Sequence, residues 1–177
     1  GTKLTPLAFL LKASAANLRN YPQFNASLGS DSRTIILKKY INIGFAVDTD
    51  KGLVVPVIRD IDKKAIWALA EEVAELSDLA RQGQLKPDQM VGACFTISSL
   101  GPLGGTGFTP IVNAPEVSIL GVARMSTKPV WNGSDFVPRK VLPLSLSYDH
   151  RAINGAEGGR FMMALIELLQ DVRRFIL

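Results

Sequence analysis

Apolar residues along the chain alternate between a helical and a strand-like period. Leu7, Leu10, Leu11, Ala15 and Leu18 recur at helical spacing. They predict a helix from Pro6 to about Asn20, capped by Thr5 and stopped by Tyr21-Pro22. Asn25 to Arg33 is polar and reads as a turn. Thr34 to Val47 is rich in β-branched and apolar residues and predicts one or two strands. Asp48 to Gly52 reads as a hairpin turn and Leu53 to Ile58 as its return strand, with Pro56 arguing for an edge or a bulge. A second helix is predicted over Lys63 to Arg81, capped by Asp62, with Ile66, Leu69, Ala70, Val73, Leu76 and Ala80 as its buried stripe. Lys86 to Met90 reads as a short helical turn. Strands follow over Ala93 to Ser98, Val117 to Arg124, Lys128 to Phe136 and Lys140 to Tyr148. From Gly155 a last helix carries Phe161, Leu165, Leu168, Leu169, Val172 and Ile176. Interspersed helices and strands predict an α/β fold, a mixed β-sheet with flanking helices. No repeat or linker divides the chain, so residues 1–177 form one domain.

Composition narrows the function classes. A 177-residue chain with 47% apolar residues can bury a sizeable core. No apolar run approaches the ~18 residues of a membrane-spanning helix. The opening GTKLTP has no signal-peptide pattern. A single cysteine excludes an internal disulfide and fits a reducing compartment. One histidine with one cysteine does not make a standard zinc site, so no metal is expected. The net charge of +4 comes from scattered basic residues without aromatic interleaving. It describes a mildly basic surface, or one that attracts an anionic ligand such as a phosphorylated cofactor, and no nucleic-acid motif accompanies it.

Candidate chemistry centres on Ser145 to Phe161, SLSYDHRAINGAEGGRF, which runs from a strand through a turn into the last helix. His150 is the only histidine, and hence the one side chain whose unperturbed ionisation falls near neutrality. Asn154 lies four residues on, where a short turn could bring its amide near the imidazole. On these residues alone His150 reads either as a general base or as a hydrogen-bonded turn residue. Asp149 and Arg151 read as a salt bridge that fixes the turn, with Asp48 a more distant partner for Arg151. Ser98 and Ser99 end a strand. Without a Gly-x-Ser-x-Gly elbow, Ser98 is poorly placed as a nucleophile, whereas an oxyanion donor needs only an aimed hydroxyl. The loop GPLGGTGFTP has glycines at 101, 104, 105 and 107, but it is neither a Walker loop nor a dinucleotide fingerprint. Strand alternation puts Cys94, Thr96 and Ser98 on one face, and a small cysteine in a strand reads as buried and inert. Met162 and Met163 read as core or contact residues. Phe175, Ile176 and Leu177 are apolar at a chain end and predict packing against a neighbouring subunit.

The DHR-x-x-N-G pattern after an apolar strand resembles the signature of the dihydrolipoamide acyltransferases, the cores of the 2-oxo acid dehydrogenase complexes. KKYINIGFAVDTDKGLVVPVIRD, FTISSLG, TPIVNAPEVSILGV and LSLSYDHRAING stand in that family's order, and the wording is most similar to the acetyl-transferring members that serve pyruvate dehydrogenase. The resemblance implies a chloramphenicol-acetyltransferase-like fold and acyl transfer between the thiols of dihydrolipoamide and coenzyme A. His150 would be the base, Ser98 the oxyanion donor and Asn154 a neutral orienting group, a position where many members carry Asp. It further implies coenzyme A contacts from Ser98, Ser99, Gly101 and Asn113, dihydrolipoamide delivered on a separate lipoyl domain, and no metal. The implied assembly is a homotrimer with active sites in channels between subunits, each taking His150 from one chain and Ser98 from the next, and it builds a cubic or dodecahedral core in the bacterial cytoplasm. Pyruvate dehydrogenase and dihydrolipoamide dehydrogenase would be recruited through domains outside these residues. Two rival expectations are a free-standing acyltransferase of the chloramphenicol type, or a scaffold that assembles without turning over.

Overall fold

The computed structural model describes residues 3–31, 33–101 and 105–176. Helix α1 (Pro6–Asn20) buries Leu10, Leu11 and Leu18 on the predicted stripe. Thr5 holds the cap position with extended backbone, but its hydroxyl caps no N–H. A 3₁₀ turn, Pro22–Phe24, leads to strand β1 (Ala26–Leu28), which pairs antiparallel with β2 (Ile35–Leu37). Where one or two strands are expected over residues 34–47 there are three short pieces: β2, β3 (Ile43–Phe45) and β4 (Val47–Thr49). β4 turns back into β5 (Gly52–Val54), and beyond Pro56 the short β6 (Val57–Ile58) pairs with β3 at a sheet edge. The edge position is the one that tolerates the missing N–H of Pro56.

Asp62 does not cap the second helix. It lies in a 3₁₀ turn, Ile61–Lys63, and α2 (Ile66–Arg81) starts after Ala65. Asp62 is taken instead by an ion pair with Arg19 of α1, 2.9 Å away. The predicted stripe of α2 is buried throughout.

The central sheet has the order β11-β8-β7-β3-β6, with β7 (Phe95–Ser99), β8 (Ser118–Val122) and β11 (Leu144–Tyr148). β7 runs parallel to β3 and β8, while β11 and β6 are antiparallel to their neighbours, so the sheet is mixed as expected. Residues 126–141 form a separate hairpin, β9 (Ser126–Trp131) with β10 (Phe136–Val141). The single strand expected over residues 140–148 is thus broken at Leu142-Pro143: β10 pairs with β9, and β11 with β8.

Helix α3 (Gly155–Gln170) packs on one face of this sheet beside α1. Phe161 of α3 is fully buried, stacked on Phe24 at 4.2 Å and close to Phe95 of β7 at 5.9 Å. Each such ring contributes about 1.5–3 kcal/mol from burial. Tyr148 crowds the same face: a side chain at Gly158 would come within 2.9 Å of its ring, so only glycine lets α3 approach β11 this closely. The last helix ends sooner than its apolar period suggests, because Asp171 leaves the helical conformation before the short α4 (Arg173–Ile176). Phe175 of α4 is buried in the chain's own core, contrary to the expectation of a subunit contact; Ile176 is partly exposed and Leu177 lies outside the described residues.

Candidate active site

The turn after β11 is built around Asp149. Its backbone N–H donates to Val117 O at 2.8 Å, and its own carbonyl accepts from Ala152 and Ile153. Its carboxylate accepts the Arg151 backbone N–H at 3.0 Å and the guanidinium through two nitrogens. The Arg151 guanidinium holds the Asp149 carboxyl below the usual carboxylate range. The ion pair expected from the sequence is present, and Arg151 engages Asp149 rather than Asp48. Ile153 is buried and anchors the turn, leaving His150 exposed at its tip with its ring 5.8 Å from that of Tyr148.

Asn154 closes the turn as the cap of α3. Its Oδ1 accepts the Glu157 N–H at 2.9 Å, and the Glu157 carboxylate accepts the Asn154 N–H at 3.0 Å, a reciprocal capping box. Among the described hydrogen bonds none joins Asn154 to His150, so Asn154 acts on the turn through the helix start. Asn154→Ala should therefore cost about 1 kcal/mol of stability, and Asn154→Asp, which keeps the cap, close to none. Chemical denaturation of the two variants checks this; an alanine variant as stable as the parent contradicts the capping role.

Ser98 stands at the opposite end of the sheet. It is level with Gly121 of β8, and Gly121 is level with Ser145 of β11. From that row to Tyr148 the chain advances three residues, about 10 Å along the strand, and His150 lies two residues further. Two strand spacings, about 10 Å, separate them across the sheet. Within one chain the His150 imidazole and the Ser98 hydroxyl are therefore beyond reach of a common atom. The alternation of β7 places Ser98 on the face turned away from Phe95 and α3, beside the path of the glycine-rich loop: a side chain at Gly121 would meet Phe108 and Pro110 at 3.1 Å.

The expected coenzyme A contacts divide in the same way. Ser99 is exposed, and its Oγ accepts the Gly101 N–H at 3.3 Å, beside Ser98. Gly101 has φ +50, a left-handed turn that favours glycine. Asn113 instead belongs to the His150 end, in the segment that leads into β8. Gly104 lies outside the described residues. Cys94 is buried, its thiol directed to the Tyr40 carbonyl and pushed up by burial, so it is no thiolate. Met162 packs against the core and Met163 is exposed. Among the described residues no three His, Cys, Asp or Glu side chains converge as a metal site.

Glu116 escaped the sequence reading. It is 6% exposed, receives the Asn113 amide on Oε1 at 3.3 Å, and has no partner for Oε2. The Thr96 hydroxyl is buried beside this carboxylate, outside regular hydrogen-bond geometry but close enough to act on its charge. Burial pushes the Glu116 carboxyl up to about 7, with Thr96 and Asn113 drawing it partly back. A carboxylate written directly against the apolar run VSILGV was the available signal. Because the folded state holds this proton more tightly than the unfolded chain, stability falls as pH rises from about 4.5 to about 7 and stays lower above that range. Glu116→Gln should remove that loss, making the variant more stable than the parent by about 2–4 kcal/mol at pH 8 and nearly equal to it at pH 4.5. Denaturant midpoints at the two pH values test this, and an equal offset at both contradicts a buried, titrating Glu116.

The fold is that of the chloramphenicol acetyltransferase class: the chain superposes on a chloramphenicol acetyltransferase with TM-score 0.63 over 92% of this chain and 77% of that one, at 16% identity. All of residues 1–177 match the 2-oxoacid dehydrogenases acyltransferase (catalytic domain) family, and the chain belongs to that family. It is 59% identical over 177 residues to the dihydrolipoyllysine-residue acetyltransferase component of the pyruvate dehydrogenase complex of Cupriavidus necator, and 60% identical to that of Pseudomonas aeruginosa. It spans 32% of the length of each of these curated relatives. Among solved structures it matches an Azotobacter vinelandii dihydrolipoamide acetyltransferase, determined to address the role of a serine, a histidine and an asparagine in catalysis (TM-score 0.97, 58% identity, all of this chain and 73% of that one). It matches equally the cubic core of a pyruvate dehydrogenase multienzyme complex, with TM-score 0.97 and 59% identity over the same shares.

Proposed function

We propose that the protein transfers an acetyl group between dihydrolipoamide and coenzyme A, in a site formed where two chains meet. The observation that carries this reading is the separation of Ser98 from His150 at opposite ends of one sheet. The serine, histidine and asparagine addressed in the Azotobacter vinelandii enzyme have the sequence separations of Ser98, His150 and Asn154 here: 52 residues, then four. Two chains arranged head to tail bring the serine end of one sheet to the histidine end of the next, and three close such a ring.

In that arrangement His150 accepts the proton of the coenzyme A thiol. The thiolate attacks the thioester carbonyl of acetyl-dihydrolipoamide, forming the new carbon–sulfur bond. The Ser98 hydroxyl of the second chain donates a hydrogen bond to the tetrahedral oxyanion. Collapse breaks the old carbon–sulfur bond, and the departing dihydrolipoamide thiolate takes the proton from His150 imidazolium. No acyl-enzyme forms and no metal takes part. Ser99 and Gly101 from the serine end, with Asn113 from the histidine end, line the approach of coenzyme A. The trimer builds a cubic core as in the solved relative, and lipoyl domains bring the acyl group to it.

Acetyl coenzyme A mixed with free dihydrolipoamide should give the S-acetyl product, followed by absorbance of the thioester. Assembled protein that forms no product would favour a scaffold without turnover. Product formed only with a small alcohol or amine acceptor would favour a chloramphenicol-type enzyme.

A further inference from the structure

Beyond the serine end of the sheet lies a cavity of about 490 Å³ lined by Gly105, Thr106, Arg124, Met125, Ser126 and Thr127. Strand β8 outlasts β7 there: the Leu100 N–H donates to Val122 O at 3.0 Å, and Arg124 follows two residues on. Gly105 and Thr106 belong to the glycine-rich loop, whose Phe108 and Pro110 stand over Gly121 in the Ser98 row. The cavity thus shares that loop with Ser98. Among the described residues Arg124 has no ion pair, no hydrogen bond engages the hydroxyls of Thr106, Ser126 or Thr127, and no acidic side chain lines the cavity. Two residues past Ser126, Lys128 stands directly opposite Arg139 of β10, again with no described ion pair. Like charges opposite each other across a ladder repel, so an anion bound nearby offsets a cost that the folded chain carries.

We propose that this cavity binds a phosphate group of coenzyme A, with the Arg124 guanidinium as its counter-ion and the three hydroxyls as further donors. The proposal rests on the acyl-transfer reading and says which of the two thiols this end of the sheet selects. Coenzyme A carries phosphates and dihydrolipoamide carries none. Length supports it. At the ~1.2 Å per bond of an extended chain, the arm of coenzyme A between its sulfur and its first phosphorus spans about 16 Å. The Arg124 backbone lies three residues beyond the Ser98 row, at most about 10 Å at strand rise. Its side chain extends that reach to about 16 Å. A thioester carbonyl at the Ser98 hydroxyl therefore puts the phosphate end of the arm within range of the guanidinium. Arginine suits the task, since its planar fork gives a phosphate two parallel hydrogen bonds. The scattered basic residues of the sequence thereby gain one place where a phosphorylated ligand is drawn in.

The test compares two acetyl donors with the same arm, acetyl coenzyme A and S-acetylpantetheine, which lacks the phosphates. Each is given to the assembled protein with free dihydrolipoamide as acceptor. Arg124→Gln should raise KM for acetyl coenzyme A about tenfold, the loss of a charged hydrogen bond, with kcat unchanged. KM for S-acetylpantetheine should not move, and Arg124→Lys should recover part of the loss. Acetyl dephospho-coenzyme A, which keeps the pyrophosphate and lacks the 3′-phosphate, identifies the group bound. A KM effect that persists with it puts the pyrophosphate at Arg124, and one that vanishes puts the 3′-phosphate there. An unchanged KM for acetyl coenzyme A, or an equal rise for acetyl coenzyme A and S-acetylpantetheine, overturns the proposal while leaving the acyl-transfer reading in place. A parent protein that acetylates dihydrolipoamide from no donor fails that reading, and the proposal with it.

Discussion

His150→Ala should lose about 10²–10⁴-fold in turnover, the usual cost of removing a general base, with its far-ultraviolet dichroism unchanged. The fold survives because the imidazole holds nothing together. The turn it tops is secured by the Asp149 backbone and carboxylate, by buried Ile153 and by the Asn154 cap. His150 itself is exposed, and no other histidine stands in the chain to replace it. The contrast is with Asp149→Ala, which removes the acceptor for Arg151 and loosens the same turn. Its activity loss should come with a structural change that His150→Ala lacks. Turnover and dichroism measured side by side on both variants separate base chemistry from turn architecture. A His150→Ala protein that turns over near the parent rate removes the imidazole from the mechanism.

The parts of this fold legible in the sequence are those set by local period. The stripes of α1 and α2 lie where the apolar spacing put them, and Pro56 marked the sheet edge. The misreadings share a cause, competition from partners distant in sequence. Asp62 has a good capping side chain, yet Arg19 claims it from 43 residues away. Lys140 to Tyr148 reads as one strand, but its first half finds β9 and its second half β8. Phe175 looks like an exposed apolar end until the core that receives it is in place. Ser98, His150 and Asn154 are legible as candidates, and the resemblance already implies a site between subunits; the strand register adds that one chain holds the serine and the histidine at opposite ends. Asn154 was expected beside the imidazole; its commitment to the helix cap depends on Glu157 three residues on. The burial of Glu116 is not legible because segments distant in sequence cover it, which no local pattern encodes.

A site shared between chains is the central claim, and mixed refolding tests it most directly. His150→Ala and Ser98→Ala chains are unfolded together in equal amounts and refolded. Each pure variant should keep about 1% or less of activity, from loss of the base or of the oxyanion donor. In a ring with equivalent boundaries, random assortment pairs an intact histidine with an intact serine at about one boundary in four. The mixture should therefore recover to roughly a quarter of the parent rate, far above either variant alone. If one chain supplied both groups, every site would lack one of them, and activity no higher than the mean of the two variants would contradict the shared site.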